Sequence, residues 1–141
     1  SDEKIYRALC ISNLIAIYQK SGIGRLSAYC GAVSAAAGAG AGITYLYGGS
    51  LEQISQTITN TLANVSGIIC DGAKSSCAAK IASSVDAAIV ATMMSLRGKA
   101  FAPGDGIVKD NIEGTVDGVV KLAKEGMKIT DEVVLQIMVE D

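Results

Sequence analysis

The stretch that decides the fold is Gly67-Ile-Ile-Cys70-Asp71-Gly72-Ala-Lys74-Ser75-Ser76-Cys77-Ala-Ala-Lys80, which holds two of the four cysteines with Gly72 between them. A helical pattern runs into it and another leaves it at Ser75 or Ser76. On one unbroken helix the two thiols would stand about 10.5 Å apart along the axis, long for two ligands of one small metal centre. Gly72 instead predicts a helix end, a tight turn and a new helix start. Cys77 then falls in the first turn of the second helix, where the positive end of the dipole favours a thiolate.

Upstream, residues 51–69 give the clearest amphipathic pattern. Leu51, Ile54, Ile58, Leu62, Val65 and Ile69 recur at helical steps, opposite Gln53, Gln56, Thr57, Asn60, Thr61 and Asn64. Ser50-Leu51-Glu52-Gln53 reads as a capping box, and the helix is expected to deliver Cys70 at its end. Gly48-Gly49 separates it from residues 26–47, nearly all small or apolar, with Cys30-Gly31 near the head. Too few β-branched residues occur there for a strand. Gly31, Ala35, Gly38 and Gly42 would suit a membrane helix, but alanine and glycine transfer weakly into lipid. A buried, close-packed helix outside any membrane is expected.

At the start of the chain, residues 4–20 spread Ile5, Leu9, Ile11, Leu14, Ile15, Ile17 and Tyr18 over most of a helix surface. So wide an apolar girdle predicts a largely buried helix, with Cys10 as a small core hydrophobe.

Beyond the corner, Cys77, Ile81, Val85, Ala88, Ile89, Thr92, Met93 and Leu96 form a second stripe, closed by Gly98 and Pro103. Residues 99–107 read as the long loop. Asp110-Asn111-Ile112-Glu113 starts a further helix with Ile112, Val116, Val119, Val120 and Ala123 inward, ended at Gly126. Thr130 is expected to cap the last helix, with Ile129 stapled to Val134. The prediction is all-α: residues 1–141 as a single domain, a compact bundle of five to six helices around an Ala/Gly-rich buried helix.

Composition narrows the chemistry. The 141 residues suffice for one core, and half are hydrophobic, yet there are five tyrosines, one phenylalanine and no tryptophan. A net charge of −2 with scattered Lys and Arg gives no nucleic-acid footprint. Histidine is absent, which removes the commonest general base and neutral metal ligand. No export signal is recognisable, so the cysteines read as reduced thiols in a cytoplasm. The abrupt apolar helix after Ser1-Asp2-Glu3-Lys4 predicts the C-terminal piece of a longer chain.

The segment Cys70-Asp71-Gly72-Ala73-Lys74-Ser75-Ser76-Cys77 closely resembles the C-terminal part of the L-cysteine desulfidase and serine dehydratase-like alpha-chain family. Cys30-Gly31, Gly48-Gly49 before Leu51, and Ser95-Leu96-Arg97-Gly98 extend the likeness through most of the chain. The resemblance implies a lyase with an oxygen-sensitive [4Fe-4S] cluster, held by Cys30, Cys70 and Cys77 with one iron open. It also implies a small amino-acid substrate: L-cysteine split to pyruvate, ammonia and sulfide, or L-serine deaminated. The Cys-Asp-Gly and short gap here, where the true iron–sulfur serine dehydratases carry Cys-Asp-Pro and a longer gap, favour the desulfidase branch. Asp71 and Lys74 are the candidate catalytic groups, as Cα base or substrate-carboxylate holder with Lys80. A base on the missing N-terminal region is favoured over both, and the isolated fragment is expected to be inactive and without iron.

Three rivals stay open on the residues alone. One is a zinc site using Cys10 too, although six residues between paired cysteines is unusual. The others are a Cys70–Cys77 disulfide and purely structural thiols. The non-enzymatic reading is a helical regulatory or assembly module. The expected partners are the substrate and the rest of the same protein, with a homo-oligomer possible and neither nucleic acid nor membrane.

Overall fold

The computed structural model describes residues 1–140. Six α-helices carry the chain: α1 Asp2–Ile23, α2 Gly31–Leu46, α3 Leu51–Val65, α4 Ser76–Leu96, α5 Ile112–Lys121 and α6 Lys128–Val139. Among the described residues there is no strand, only one antiparallel bridge between Tyr29 and Ile69. The all-α expectation holds.

α2 is the axis, flanked by α1, α3 and α4. Its glycines explain how close they come. A Cβ added at Gly38 would stand 2.3 Å from the Ser12 carbonyl oxygen of α1, and one at Gly42 would stand 2.8 Å from that of Ala8. Ala8, Ser12 and Ala16 recur every four residues on α1, so small residues meet small residues. That contact turns the large side chains outward. Ile5, Tyr6, Leu9, Leu14, Ile17 and Tyr18 are exposed, and of α1 only Ala8, Gln19 and Ile23 are buried. The expectation of a largely buried α1 is therefore corrected, and so is core burial of Cys10, which is exposed.

α4 keeps part of its expected stripe, Ala88 and Thr92, but exposes the larger residues of it. Ser84, Ala87, Ala88, Ala91, Thr92 and Ser95 face inward, while Ile81, Val85, Ile89 and Met93 lie outside. Only small residues fit against α2, where the Thr92 hydroxyl finds partners, while Ser84 and Ser95 donate to carbonyls of their own helix. Thr44 Oγ1 lies 2.7 Å from Thr57 Oγ1 and donates to Thr92 Oγ1 at 3.2 Å, and Thr92 donates to the Gly40 carbonyl. Asn60 donates to Ser95 Oγ and to the Lys99 carbonyl, and accepts from the Phe101 N–H. These bonds pin the long loop after α4. By length and composition α4 could cross a membrane, but its hydroxyl-bearing face is bonded into the bundle.

The Ser50–Gln53 capping box forms as expected, and Asn111 caps α5 through the Gly114 N–H. The last helix differs. A single π turn, Leu122–Gly126, leads from α5 toward α6, whose N-cap is Met127. The Met127 N–H bonds the Leu122 carbonyl at 2.8 Å, so Thr130 lies inside the helix and caps nothing. Ile129 is exposed.

Candidate functional site

Three segments meet at the N-terminal ends of α2 and α4. α3 stops at Val65, so Cys70 is not delivered by a helix end. Ser66-Gly67 makes a turn, with the Ile68 N–H on the Val65 carbonyl at 3.2 Å, and the β-branched Ile68-Ile69 pair then opens the segment that carries Cys70. It pairs with the segment leading into α2. The Cys30 N–H donates to the Ile68 carbonyl at 3.1 Å, and the Cys70 N–H donates to the Ala28 carbonyl at 2.6 Å. Side chains alternate across such a pairing, so Cys30 and Cys70 share one side of it as diagonal neighbours.

Cys30 is the N-cap of α2 and buried, whereas Cys70 is half-buried. Gly72 turns the chain at φ +88°, a backbone conformation that side chains disfavour. Cys77 then enters the first turn of α4, as expected, with its N–H bonded to the Lys74 carbonyl at 2.9 Å. It faces a trough of about 390 Å³ shared with Gly31 and Ala32, next to Cys30 in the chain. All three thiols are free, so no Cys70–Cys77 disulfide forms.

Lys80 ties this corner together. One turn after Cys77, its ammonium donates to the Ile69 carbonyl at 3.0 Å and pairs with Asp71. The Lys80 hydrogen bond holds the Asp71 carboxyl below its ordinary range. The same contact raises the Lys80 ammonium, helped by the neighbouring Cys30 and Cys70. A carboxylate so paired is a weak base, and Lys80 is already engaged. Lys74 lines a second trough of about 330 Å³ with Ile69, Asp71 and α6 side chains, and forms no ion pair among the described residues.

Cys10 lies elsewhere. It lines a surface trough with Arg7 and Tyr45, near the C-terminal end of α2. Tyr45 is about 21 Å along the helix from Gly31 at 1.5 Å per residue. A four-cysteine zinc site is thereby excluded. Among the described residues no three Cys, Asp or Glu side chains close on a single metal ion. A cubane differs, because each thiolate binds its own iron and the sulfurs stand wider apart than around one ion. Three free soft donors, drawn from two loop-to-helix junctions and the bridged segment, have the ligand chemistry that such a group takes. Reading the sequence missed the Tyr29–Ile69 bridge, whose signal was the Ile68-Ile69 pair beside Gly67.

The sequence pattern of the serine dehydratase alpha chain matches residues 1–136. The chain belongs to the serine dehydratase alpha-chain family. Relatives within reach of this family member include a UPF0597 protein of Lachnoclostridium phytofermentans, 82% identical over 137 residues, which cover 97% of this chain and 33% of the relative. A UPF0597 protein of Treponema denticola is 60% identical over 141 residues, covering 100% of this chain and 33% of that protein. One of Fusobacterium nucleatum is 52% identical over 138 residues, covering 98% and 32%. The chain thus spans about a third of the length of these curated relatives. No solved structure matches it.

Proposed function

We propose that the full-length protein is a cytoplasmic lyase acting by β-elimination on a small amino acid, and that these residues form its cluster-binding part. L-Cysteine, split to pyruvate, ammonia and sulfide, is the favoured substrate, with L-serine deamination the lesser variant. Family membership supports a dehydratase-type lyase. The observation that carries the finer reading is the backbone pairing that sets Cys30 and Cys70 on one side, with Cys77 heading the adjacent helix.

Cys30, Cys70 and Cys77 would hold a [4Fe-4S] cluster, which supplies a Lewis-acid iron for the departing thiol or hydroxyl. The chain's own residues do the rest of the positioning. Lys80 fixes the Cys70 segment to α4 through Ile69 and Asp71. Lys74, at the rim, is the cation left to meet a substrate carboxylate. Asp71, held ionised by Lys80, is better suited to anchoring than to removing the Cα proton. The base is therefore assigned to the part of the full-length protein outside these residues.

The test is to replace Cys10, Cys30, Cys70 and Cys77 by Ser, one at a time, in the full-length protein purified without oxygen. The three site variants should lose bound iron, brown absorbance and sulfide release, while Cys10→Ser keeps all three. Activity retained in Cys30→Ser, Cys70→Ser and Cys77→Ser alike refutes the assignment.

A further inference from the structure

The outer face of α4 is a surface without an occupant. Ile81, Val85, Ile89, Val90 and Met93 are 38–49% exposed, and Ala78, Ala79 and Ala82 lie open among them. Asp86 is the one charged group exposed on this helix, since Lys80 turns toward Asp71 and Ile69. The helix does not hide these side chains by rolling, because Thr92 and Ser95 are bonded to α2 and α3 residues. A trough of about 390 Å³ runs beside the face, floored by Ala32, Ala35 and Ala39 of α2 and walled by Ile81 and Val85. Contiguous apolar surface on this scale marks a covered site.

We propose that this face and trough dock the part of the full-length protein that lies outside these 141 residues. The relatives supply the occupant, since they are about three times this length. Physical chemistry favours it as well. A segment on the same polypeptide acts at an effective concentration on the order of millimolar, so a face of one helix's length stays covered without the large interface a separate partner requires. At 1.5 Å per residue α4 is about 31 Å long, room for a helix of several turns laid alongside it. Because Cys77 opens into the same trough, the docked segment also roofs the corner that carries the thiols. The docking stands apart from the reaction assigned above, and its test reads no activity.

The test uses the full-length protein carrying Ile89→Cys or Met93→Cys. Maleimide labelling of each site is followed by peptide mass spectrometry, so that the native cysteines do not interfere. The labelling rate in the native protein is compared with that of the same site in urea. Each introduced thiol should be protected about tenfold or more, as a site that opens only locally is, and the protection should survive about hundredfold dilution. Weaker protection overturns the proposal. Protection that disappears on dilution assigns the face to a second copy instead. Protection that appears only with lipid vesicles assigns it to a membrane. Either position alone decides the matter if the other variant fails to fold.

Discussion

Gly38→Ala should be the most damaging single methyl in the molecule, and the structure says why. The added carbon would lie 2.3 Å from the Ser12 carbonyl oxygen and 3.4 Å from the Ala16 nitrogen. Those two atoms are the acceptor and donor of one i to i+4 bond of α1. Real Cβ atoms essentially never approach within 3.0 Å, so α1 must retreat by most of an ångström. A backbone oxygen has no rotamer with which to yield. Against this, alanine in a helix interior gains about 1 kcal/mol over glycine. Overpacking of a rigid contact costs about 1–3 kcal/mol and occasionally more, and here it falls at the upper end. The net loss is about 1–2 kcal/mol. With a urea slope of about 2 kcal/mol/M, the middle of the usual range for small proteins, the midpoint should fall by roughly 0.5–1 M. Gly42→Ala, whose Cβ would meet the Ala8 carbonyl at 2.8 Å, should cost less. Gly31→Ala, with nothing within 4 Å, should be neutral or slightly stabilising. The assay is urea unfolding of the three variants and the parent by circular dichroism. A Gly38→Ala protein as stable as the parent would refute the close approach of α1 and α2, and a reversed order of Gly38 and Gly31 would do so more sharply.

The remaining predictions concern the Lys80 clamp and the buried hydroxyls. Asp71 is held below its ordinary 3.8, so its contribution to stability is present above that value and lost as pH falls through the lower folded one. Lys80 is held above its ordinary 10.5, so its contribution is present below that value and lost as pH rises through the higher folded one. The difference in urea midpoint between parent and Lys80→Met should therefore be flat across the neutral range and shrink at both ends; a difference unchanged down to about pH 2 rules the clamp out. Thr44→Val removes the hydroxyl shared by the buried Thr57 and Thr92, which keep their bonds to the Gln53 and Gly40 carbonyls, and should cost about 1 kcal/mol in the same unfolding assay, with Thr44→Ser restoring most of it.

What the sequence revealed and what it hid follow one physical distinction. Local signals were legible because they complete themselves within a few residues: the Ser50–Gln53 box, the helix start within Asp110–Glu113, the Gly72 turn, and Cys77 in the first turn of α4. The burial of α2 was legible too, since a run of alanine and glycine has little else to offer than close packing. The faces of α1 and α4 were misread because the size of an apolar side chain records how much it gains from cover, not which neighbour provides it. On both helices the small residues, Ala8, Ser12 and Ala16 or Ala88, Ala91 and Ser95, meet the rest of the bundle, and most of the branched ones are left outside, Ile11, Ile15 and Ile23 excepted. Backbone proximity chose the inner face. An α2 dense in glycine admits only partners that are small along one ridge, and a search for four-residue spacing of small residues on α1 would have found that ridge. The same distinction governs the site. Cys77 was placed by a local rule, whereas Cys30 and Cys70 are aligned by a pairing between segments about forty residues apart, which no local periodicity encodes. The outward-facing apolar residues of α4 then carry information of their own: beside relatives about three times this length, they are the face on which the proposed docking of the remaining polypeptide rests.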